Sequence, residues 1–370
     1  MSGGVDSSLA AYLLKKKGYD LFGITMKLWD YKDVGGDLYK DGRCCSWEAM
    51  SDARYVCSQI DAPFYVLDFT SEFQEKVIQN FIDEYQRGKT PNPCIICNTE
   101  IKWKVLWDKA KKLGADFIAT GHYARIEYDD NEKRYLLLKG KDQAKDQSYA
   151  LWGLSQENLS KTIFPLGDLN KKETRELSLE FGLKTAFKEE SQEICFIPDD
   201  DYGRFLRERG SAEGGSPAKC GGKGQGARGK EGPICNLKGE KIGTHPGICF
   251  YTIGQRRGLN IALGKPIYVV KIDPDKNAIY MGEDKDLFKS FFVVSNVNWI
   301  AIPELEEELE CEIKIRYLHQ PTRGKISKLT KEKILIKFQK PERAITPGQS
   351  AVFYQGEKVI GGGIIDSVLD

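Results

Sequence analysis

The residues Ser2-Gly3-Gly4-Val5-Asp6-Ser7-Ser8 carry the strongest structural signal in the chain. The two glycines let the backbone approach an anion closely, and the serine hydroxyls add hydrogen-bond donors. Apolar residues with helical spacing follow from residue 7 to about residue 17, and the N–H groups and dipole at the start of a helix attract negative charge. The stretch therefore predicts a phosphate cradle at the N-terminus of the first helix. It lacks the Gly-Lys-Ser/Thr of a P-loop NTPase and the G-x-G-x-x-G of a dinucleotide site.

Downstream of this cradle, strand patterns alternate with helix patterns. Strands are predicted at residues 21–29, 63–69 and 116–121, and helices at residues 47–60, 72–85 and 99–113. Strands that alternate with helices of this length are typical of parallel strands joined by right-handed crossovers. The first part of the chain is therefore predicted to be a doubly wound α/β sheet.

The pattern changes after about residue 200. Residues 203–265 contain twelve Lys and Arg against four Asp and Glu, and within them the Gly-rich stretch 210–232 is predicted to be a mobile loop, with a solvated insertion as its simplest interpretation. From about residue 295 apolar residues alternate, as in Ile313, Ile315 and Tyr317, which are expected on one face of a strand. Short antiparallel strands of this kind predict a small β-barrel. The expected domains are 1–200, a basic central domain at 201–285, and a C-terminal antiparallel barrel at 286–370.

Composition excludes several classes of protein. The chain has 370 residues, which corresponds to about two to three domains. Apolar residues make up 41% and charged residues 29%, and the net charge is +1, so any nucleic-acid footprint has to be local. No apolar run reaches the roughly 20 residues of a membrane span, and the first residues do not form a signal peptide. We expect a cytoplasmic protein.

The ten cysteines are too few for a disulfide scaffold in a chain of this length. Cys57, Cys249 and Cys311 lie in apolar or alternating segments and are expected to be small buried hydrophobes. The stretch Cys94-Ile95-Ile96-Cys97 is different, because this spacing lets two thiols converge on one metal, one cluster or one redox event.

The run at residues 2–8 resembles the PP-loop of the N-type ATP pyrophosphatases, in which ATP adenylates an oxygen of the substrate. Five further motifs occur in order. They are Thr90-Pro91-Asn92-Pro93-Cys94-Ile95-Ile96-Cys97-Asn98, Ala119-Thr120-Gly121-His122-Tyr123-Ala124, Lys145-Asp146-Gln147-Ser148-Tyr149, Ser191-Gln192-Glu193-Ile194-Cys195-Phe196-Ile197 and Phe250-Tyr251-Thr252-Ile253-Gly254-Gln255-Arg256-Arg257-Gly258-Leu259. Together they resemble the tRNA-specific 2-thiouridylase family over nearly the whole chain.

This resemblance implies an ATP-dependent replacement of the C2 oxygen of the wobble uridine by sulfur. The C2 carbonyl is a poor electrophile, so its oxygen must first leave as AMP, and sulfur must arrive on a thiolate carrier. The resemblance implies that Cys195 carries the persulfide and that Cys97 is the partner nucleophile, which leaves a Cys97–Cys195 disulfide to be reduced.

The resemblance also implies the ligand contacts. ATP, accompanied by Mg²⁺, would be bound by the seven residues of the PP-loop, by the backbone of Met26 and by Gly121. The tRNA (the Lys, Glu and Gln isoacceptors) would contact His122, Lys145, Asp146, Gln147, Arg316, Tyr317 and Gln349. Arg256 and Arg257 suit phosphate contacts, and the flipped wobble base would lie beside Asn92, Pro93 and Cys94. The expected sulfur donor is a cysteine desulfurase or a sulfur-relay protein.

The sequence departs from the family pattern at three places. It begins at the PP-loop, where relatives have a short apolar strand, so we expect either a start upstream or a sheet without that strand. Cys94 stands where better-known relatives carry an Asp proposed as general acid/base. The 210–232 loop is longer than expected for the family.

Three alternatives remain open. Cys94, Cys97 and Cys195 could ligate a [4Fe-4S] cluster whose open iron delivers hydrosulfide to the same activated base. The chain could instead be another PP-loop ligase or amidotransferase. It could also be an RNA-binding protein with a relict nucleotide fold.

Overall fold

The computed structural model describes residues 1–29, 46–188, 194–197, 199–209, 230–259, 261 and 264–369. The motif residues Ser191, Gln192 and Glu193, and residues 210–229 of the predicted Gly-rich loop, therefore lie outside the described residues. Within the described ranges, no helix is both long enough and apolar enough to cross a bilayer.

Helices and short strands alternate in the N-terminal part. They are α1 (Val5–Lys16), β1 (Gly23–Lys27), α2 (Trp47–Gln59), β2 (Phe64–Asp68), α3 (Thr70–Phe73, Gln74–Ile78 and Gln79–Gln86 in succession), α4 (Pro93–Ile96, Cys97–Leu106 and Trp107–Lys112 in succession), β3 (Ile118–Ala119), β4 (Ala124–Asp129), β5 (Arg134–Lys139), α5 (Gln156–Ser160), β6 (Thr162–Ile163) and α6 (Lys171–Glu180). Each helix and strand predicted between residues 7 and 121 is present, with shifted ends.

Helix α1 follows directly from the glycines that precede it. Gly4 is its N-cap, an acidic side chain (Asp6) occupies its first turn, and two lysines occupy its last turn, as the helix dipole favours. The helix ends before Gly18, which has a φ of +85° that a residue with a Cβ adopts only at a cost. Leu9 is fully buried against Val56 of α2, which fixes α1 on the remainder of the domain.

Two strand pairs of the N-terminal part are parallel, as predicted, whereas β4 and β5 form an antiparallel hairpin. β1 pairs with β2 from Gly23 opposite Phe64 to Lys27 opposite Asp68, and β3 pairs with β6. These pairs form two separate two-stranded sheets. The backbone of Met1 bonds to the carbonyl of Ile24 in β1. The strand predicted at 116–121 is only two residues long, because the chain leaves it to pack on the PP-loop.

Helix α4 begins earlier than predicted. Asn92 caps it by accepting a hydrogen bond from the Cys94 N–H at 3.1 Å, and Pro93 occupies its first position. Asn followed by Pro is a recognised helix start, so the sequence contained this signal. Its middle segment, from Cys97 to Leu106, is π-helical. Cys94 and Cys97 therefore lie within a helix rather than before one.

The C-terminal part is predominantly β. It contains α7 (Tyr202–Arg209), β7 (Gly232–Asn236), β8 (Lys241–His245), β9 (Tyr268–Asp273), β10 (Ala278–Gly282), β11 (Phe288–Trp299), β12 (Leu309–Lys314), β13 (Thr322–Lys328), β14 (Lys333–Arg343), β15 (Ser350–Gln355) and β16 (Lys358–Leu369). Strands β7 to β10 form a four-stranded sheet in the order β8-β7-β10-β9.

The last six strands close into the predicted antiparallel barrel. Their order is β11-β14-β13-β12-β15-β16, and β16 pairs back with β11. Side chains from several strands, among them Phe292, Ile313, Ile336 and Phe353, fill its interior. The hairpin β4–β5 of the N-terminal part extends this sheet through β16, a connection that the sequence pattern did not indicate.

Two sequence expectations about the β part have different outcomes. Ile313 and Ile315 are buried, but Tyr317 is 37% exposed, so the expectation of a shared face was wrong for Tyr317. The cause is that β12 ends at Lys314 and the chain then turns.

The expectation of small buried thiols is confirmed for Cys57, Cys249 and Cys311. Burial, with some contribution from Glu312, raises the pKa of Cys311 to about 12.

Candidate active site

The PP-loop is closed by hydrogen bonds between its own residues. The Ser7 Oγ accepts from the Ser2 N–H and the Ser2 Oγ, both at 3.1 Å, and donates to the Gly4 carbonyl at 3.1 Å. Among the described residues, no side chain caps the start of α1. The first N–H groups of a helix have no partner within the helix, so this end can bind an anion.

Close backbone contacts explain two glycines of the site. Gly3 has a φ of +71°, and a Cβ there would lie 2.1 Å from the carbonyl oxygen of Ala49. A Cβ on Gly121 would lie 2.8 Å from the backbone nitrogen of Ser7. The segment after β3 therefore packs directly on the PP-loop, and Gly121 lies at the cradle.

Asp6 is the centre of a polar cluster that the sequence did not predict. The Lys171 Nζ donates to both carboxylate oxygens of Asp6, at 2.7 and 2.9 Å, and the Tyr123 hydroxyl donates to Oδ1 at 2.7 Å. Lys171 is the first residue of α6, where the helix dipole disfavours a cation. The position of this lysine directly after the cap residue Asn170 was thus the sequence signal that could have identified Lys171 as a site residue.

The two predicted sulfur-transfer cysteines converge on one apolar core. Cys97 of α4 and Cys195 are both partly buried and both pack against the cluster that contains Phe73, Phe81 and Phe196. The Phe196 ring contacts those of Phe73 and Phe81 at centroid distances of 5.7 and 5.4 Å, which holds its neighbour Cys195 in place.

The same core receives the residue predicted to contact adenine. Met26, near the end of β1, packs against this cluster too. Cys94 has a different environment from Cys97 and Cys195, because it is exposed. All three cysteines are thiols.

These three cysteines do not form a metal site. Over the described ranges, which include Cys94, Cys97 and Cys195, no three Cys, His, Asp or Glu side chains are placed to hold one ion. The side-chain arrangement therefore does not fit the cluster considered from the sequence.

The loop before α4 is held by the barrel. The Thr90 N–H donates to the Pro347 carbonyl at 2.8 Å, and the Gln349 Nε2 donates to the Thr90 carbonyl at 2.9 Å. A Cβ on Gly348 would lie 2.8 Å from the nitrogen of Thr90, so the two segments are in close contact. The Gln349 amide thus anchors the segment that leads to Asn92 and Pro93.

His122 belongs to a chain of polar contacts that begins beside Cys97. Asn98 accepts from the Lys102 Nζ at 2.9 Å, the Lys102 Nζ lies 3.5 Å from the His122 Nε2, and the His122 Nδ1 lies 2.7 Å from the Thr120 hydroxyl. Burial, together with the Lys102 charge, lowers the pKa of His122 well below its ordinary value. His122 is therefore neutral near pH 7.

Asp146 and Gln147 stabilise the loop in which they lie by accepting hydrogen bonds from backbone N–H groups. The buried Asp146 carboxylate accepts from the backbone N–H groups of Gly140 and Ser148 at 3.0 and 3.1 Å. The Gln147 Oε1 accepts from the Tyr123 N–H at 3.0 Å. Lys145, beside them, is partly buried.

The structure brings part of the predicted tRNA surface together. The rings of Tyr149 and Tyr317 are 6.2 Å apart, and the Lys314 Nζ lies 5.7 and 5.6 Å from them. Burial, with repulsion from Arg343, lowers the pKa of Arg316. Tyr149 is fully buried beneath this contact, and Lys314, Arg316 and Tyr317 form one basic and aromatic surface above it.

Arg256 and Arg257 lie elsewhere, in the four-stranded part. Both are exposed. Arg256 borders an open cleft of about 570 Å³ that Leu259 and Lys265 also line. Two exposed guanidinium groups next to an open cleft suit phosphate contacts.

Sequence comparison gives three family matches and many similar proteins. Residues 1–199 match the family described as the tRNA methyl transferase HUP domain, residues 225–283 the tRNA methyl transferase PRC-barrel domain, and residues 289–365 the aminomethyltransferase β-barrel domain. The chain is 47% identical over 369 residues to the tRNA-specific 2-thiouridylase MnmA of Clostridioides difficile strain 630, covering 100% of this chain and 97% of that protein. It is 47% identical to the protein of the same name from Salinibacter ruber, covering 100% of this chain and 93% of that protein.

Proposed function

The chain belongs to the tRNA-specific 2-thiouridylase family, and from this premise we propose that it is a tRNA-uridine 2-sulfurtransferase that uses ATP. The reaction would replace the C2 oxygen of the wobble uridine by sulfur and release AMP and pyrophosphate. The observation that carries this proposal is the anion cradle at residues 2–8, in which Asp6 is paired with Lys171.

ATP and Mg²⁺ fit the residues present at the cradle. The start of α1 suits the phosphates, Gly121 packs directly on the PP-loop backbone at Ser7, and Met26 near the end of β1 is available for adenine. A carboxylate has about four lone-pair positions, and three hydrogen bonds occupy three of those on Asp6, so one oxygen ligand remains for Mg²⁺. Lys171 would neutralise the charge that develops on the departing pyrophosphate.

The thiols would then deliver sulfur in two balanced steps. The terminal sulfur of a Cys195 persulfide attacks C2 of the adenylated uridine, and AMP leaves with the former C2 oxygen. The Cys97 thiolate attacks the Sγ of Cys195, which breaks the persulfide S–S bond, releases the base as 2-thiouridine and forms a Cys97–Cys195 disulfide. The position of both cysteines on one apolar core supports this sequence of steps.

The tRNA contacts divide into two groups in this proposal. Exposed or partly exposed groups contact the RNA directly, namely Arg256, Arg257, Lys145, Arg316 and Tyr317. Asp146, Gln147, His122 and Gln349 act through the loops that they hold, since each has a hydrogen bond to an internal partner. The flipped wobble base would lie beside Asn92, Pro93 and Cys94.

The remaining assignments are also part of the proposal. The substrates would be the tRNAs for Lys, Glu and Gln, and a cysteine desulfurase or a sulfur-relay protein would supply the sulfur. The chain would divide into a catalytic domain at 1–200, a central tRNA-binding domain at 201–285 and a barrel domain at 286–370.

Pyrophosphate release and thiolation together test the proposal. Wild-type protein with ATP and tRNA should release pyrophosphate in a tRNA-dependent manner and, with a persulfide donor, form 2-thiouridine. Cys97→Ser and Cys195→Ser should each keep pyrophosphate release and lose thiolation. Cys235→Ser, a buried cysteine of β7, is the matched control and should keep both.

Other outcomes would favour the other functions. Pyrophosphate release that tRNA does not stimulate would indicate another PP-loop ligase, and tRNA binding without ATP turnover would indicate an RNA-binding protein. Methyl transfer, which two of the matching domain descriptions name, needs no pyrophosphate release, and the anion cradle favours the ATP-dependent reaction.

A further inference from the structure

Cys94 is the thiol that the proposed reaction leaves unused. It lies in the first turn of α4, three residues before Cys97, so both side chains point to the same side of the helix. Cβ atoms at this spacing are about 5–6 Å apart, and a disulfide needs about 3.5–4.5 Å, so a small adjustment of the first turn joins them. Cys94 is exposed, whereas Cys97 and Cys195 are partly buried.

We propose that Cys94 is a resolving thiol that regenerates Cys195 after each turnover. The proposal rests on the proposed function, which leaves a Cys97–Cys195 disulfide. The Cys94 thiolate attacks the Sγ of Cys97, a Cys94–Cys97 bond forms, and the electron pair of the broken bond leaves on Cys195 as a thiolate. An external dithiol then reduces the Cys94–Cys97 disulfide, supplying two electrons and two protons and becoming a disulfide itself.

Accessibility is the physical reason for such a relay. Cys195 packs on the apolar core, and its neighbour Phe196 is fully enclosed by other aromatic rings, so a protein dithiol has poor access to it. Cys94, in contrast, is an exposed residue. Only two thiols need to meet at a time, and the relay therefore does not require the three-ligand arrangement that is absent among the described Cys, His, Asp and Glu side chains.

The relay gives Cys94 a role different from that of the Asp at this position in better-known relatives. A general base would act before or during sulfur transfer, so its loss would impair the first turnover. A resolving thiol acts after sulfur transfer, so without it each protein can still complete one turnover, and only the later turnovers are slowed. A measurement of 2-thiouridine formed in the first turnover and in later turnovers therefore distinguishes the two roles.

The test is a burst experiment with trapping of thiols. Wild type, Cys94→Ser and the control Cys235→Ser are loaded with persulfide and mixed with tRNA, ATP, a persulfide donor for the later turnovers, and a dithiol at about 0.1 mM. Samples are alkylated at intervals, and disulfides are mapped by mass spectrometry. The dithiol reaches the Cys94–Cys97 disulfide through exposed Cys94, whereas the Cys97–Cys195 disulfide of Cys94→Ser lies on the apolar core, so later turnovers of Cys94→Ser should be slower than those of wild type by about tenfold or more.

The expected result has three parts. Wild type and Cys235→Ser show a Cys94–Cys97 disulfide and an alkylated Cys195 after the burst. Cys94→Ser forms about one 2-thiouridine per protein at saturating tRNA, at whatever rate its contact with the wobble base allows, and then accumulates the Cys97–Cys195 disulfide. Loss of the burst in Cys94→Ser with pyrophosphate release intact would overturn the relay, as would a Cys97–Cys195 disulfide that persists in wild type while Cys94 is alkylated. Failure of the proposed function is distinct, because wild type would then form no 2-thiouridine at all.

Discussion

Replacing Lys171 by Met removes the ammonium from Asp6 while it keeps most of the side-chain length. The side chain of Lys171 is 13% exposed and that of Asp6 is 31% exposed, so the pair is largely but not completely shielded from water. Hydrogen bonds to charged groups contribute about 1.5–3 kcal/mol each. The two hydrogen bonds lost in Lys171→Met come from one ammonium, so their contributions do not add in full, and Asp6 keeps its hydrogen bond from the Tyr123 hydroxyl. We therefore expect Lys171→Met to lower the free energy of unfolding by about 2 kcal/mol in total.

The effect on catalysis should be larger than the effect on stability. If Lys171 neutralises charge on the departing pyrophosphate, its loss should reduce tRNA-dependent pyrophosphate release by about 100- to 1000-fold. At about 2–4 °C per kcal/mol for a domain of this size, the melting temperature should fall by only about 4–8 °C. Affinity for tRNA should stay unchanged, because Lys171 faces Asp6 rather than the basic surface.

Lys172 supplies the matched control. It is the next residue, its side chain is 84% exposed, and it pairs with Glu176 at 3.6 Å on the surface of α6. An exposed pair of this kind contributes little, so Lys172→Met should leave both melting temperature and pyrophosphate release near wild type. The reasoning is refuted if Lys171→Met and Lys172→Met release pyrophosphate at the same rate.

Three further expectations concern the tRNA side of the molecule. Replacing Arg256 and Arg257 by Ala should weaken tRNA binding and reduce the slope of log affinity against log salt by about 1 for each arginine that contacts phosphate. An unchanged slope would mean that tRNA binds to another part of the protein. Gln349→Leu removes the hydrogen bond to the carbonyl of Thr90, so thiolation should slow while tRNA affinity stays constant. Weaker tRNA binding would instead indicate a direct RNA contact. Burial lowers the pKa of His122, so below about pH 6.5 the unfolded chain binds a proton at this residue and the folded chain does not. The free energy of unfolding should therefore fall as the pH drops below that value. In His122→Gln, urea unfolding at a series of pH values should show a less steep fall of the free energy of unfolding. An equally steep fall in the variant would contradict the assignment of this pH dependence to His122.

The features that the sequence predicted are those encoded over short stretches. The glycines before α1, the apolar spacing within it and Gly18 after it are adjacent in sequence, so the helix and its anion cradle could be inferred directly. Parallel pairing followed from alternation of strand and helix, and the barrel followed from alternation of apolar residues, of which Ile313 and Ile315 are examples.

What the sequence did not predict depends on contacts between distant segments. Lys171 reaches Asp6 from a different helix, and although its unfavourable place at the start of α6 marks it as unusual, nothing local identifies Asp6 as its partner. The anchoring of the loop at Thr90 by Gln349 likewise joins the barrel to the N-terminal part. The neutral state of His122 follows from burial and from Lys102, neither of which is readable from its own motif.

Transfer of the uridine oxygen to AMP tests the central claim most directly. An anticodon stem–loop that carries oxygen-18 at C2 of its wobble uridine would be incubated with the protein, ATP and a persulfide donor, and the AMP would be analysed by mass spectrometry. Adenylation of the C2 oxygen predicts one oxygen-18 in each AMP, none in pyrophosphate, and one 2-thiouridine formed for each AMP released. AMP that carries only unlabelled oxygen, formed while 2-thiouridine accumulates, would contradict the account.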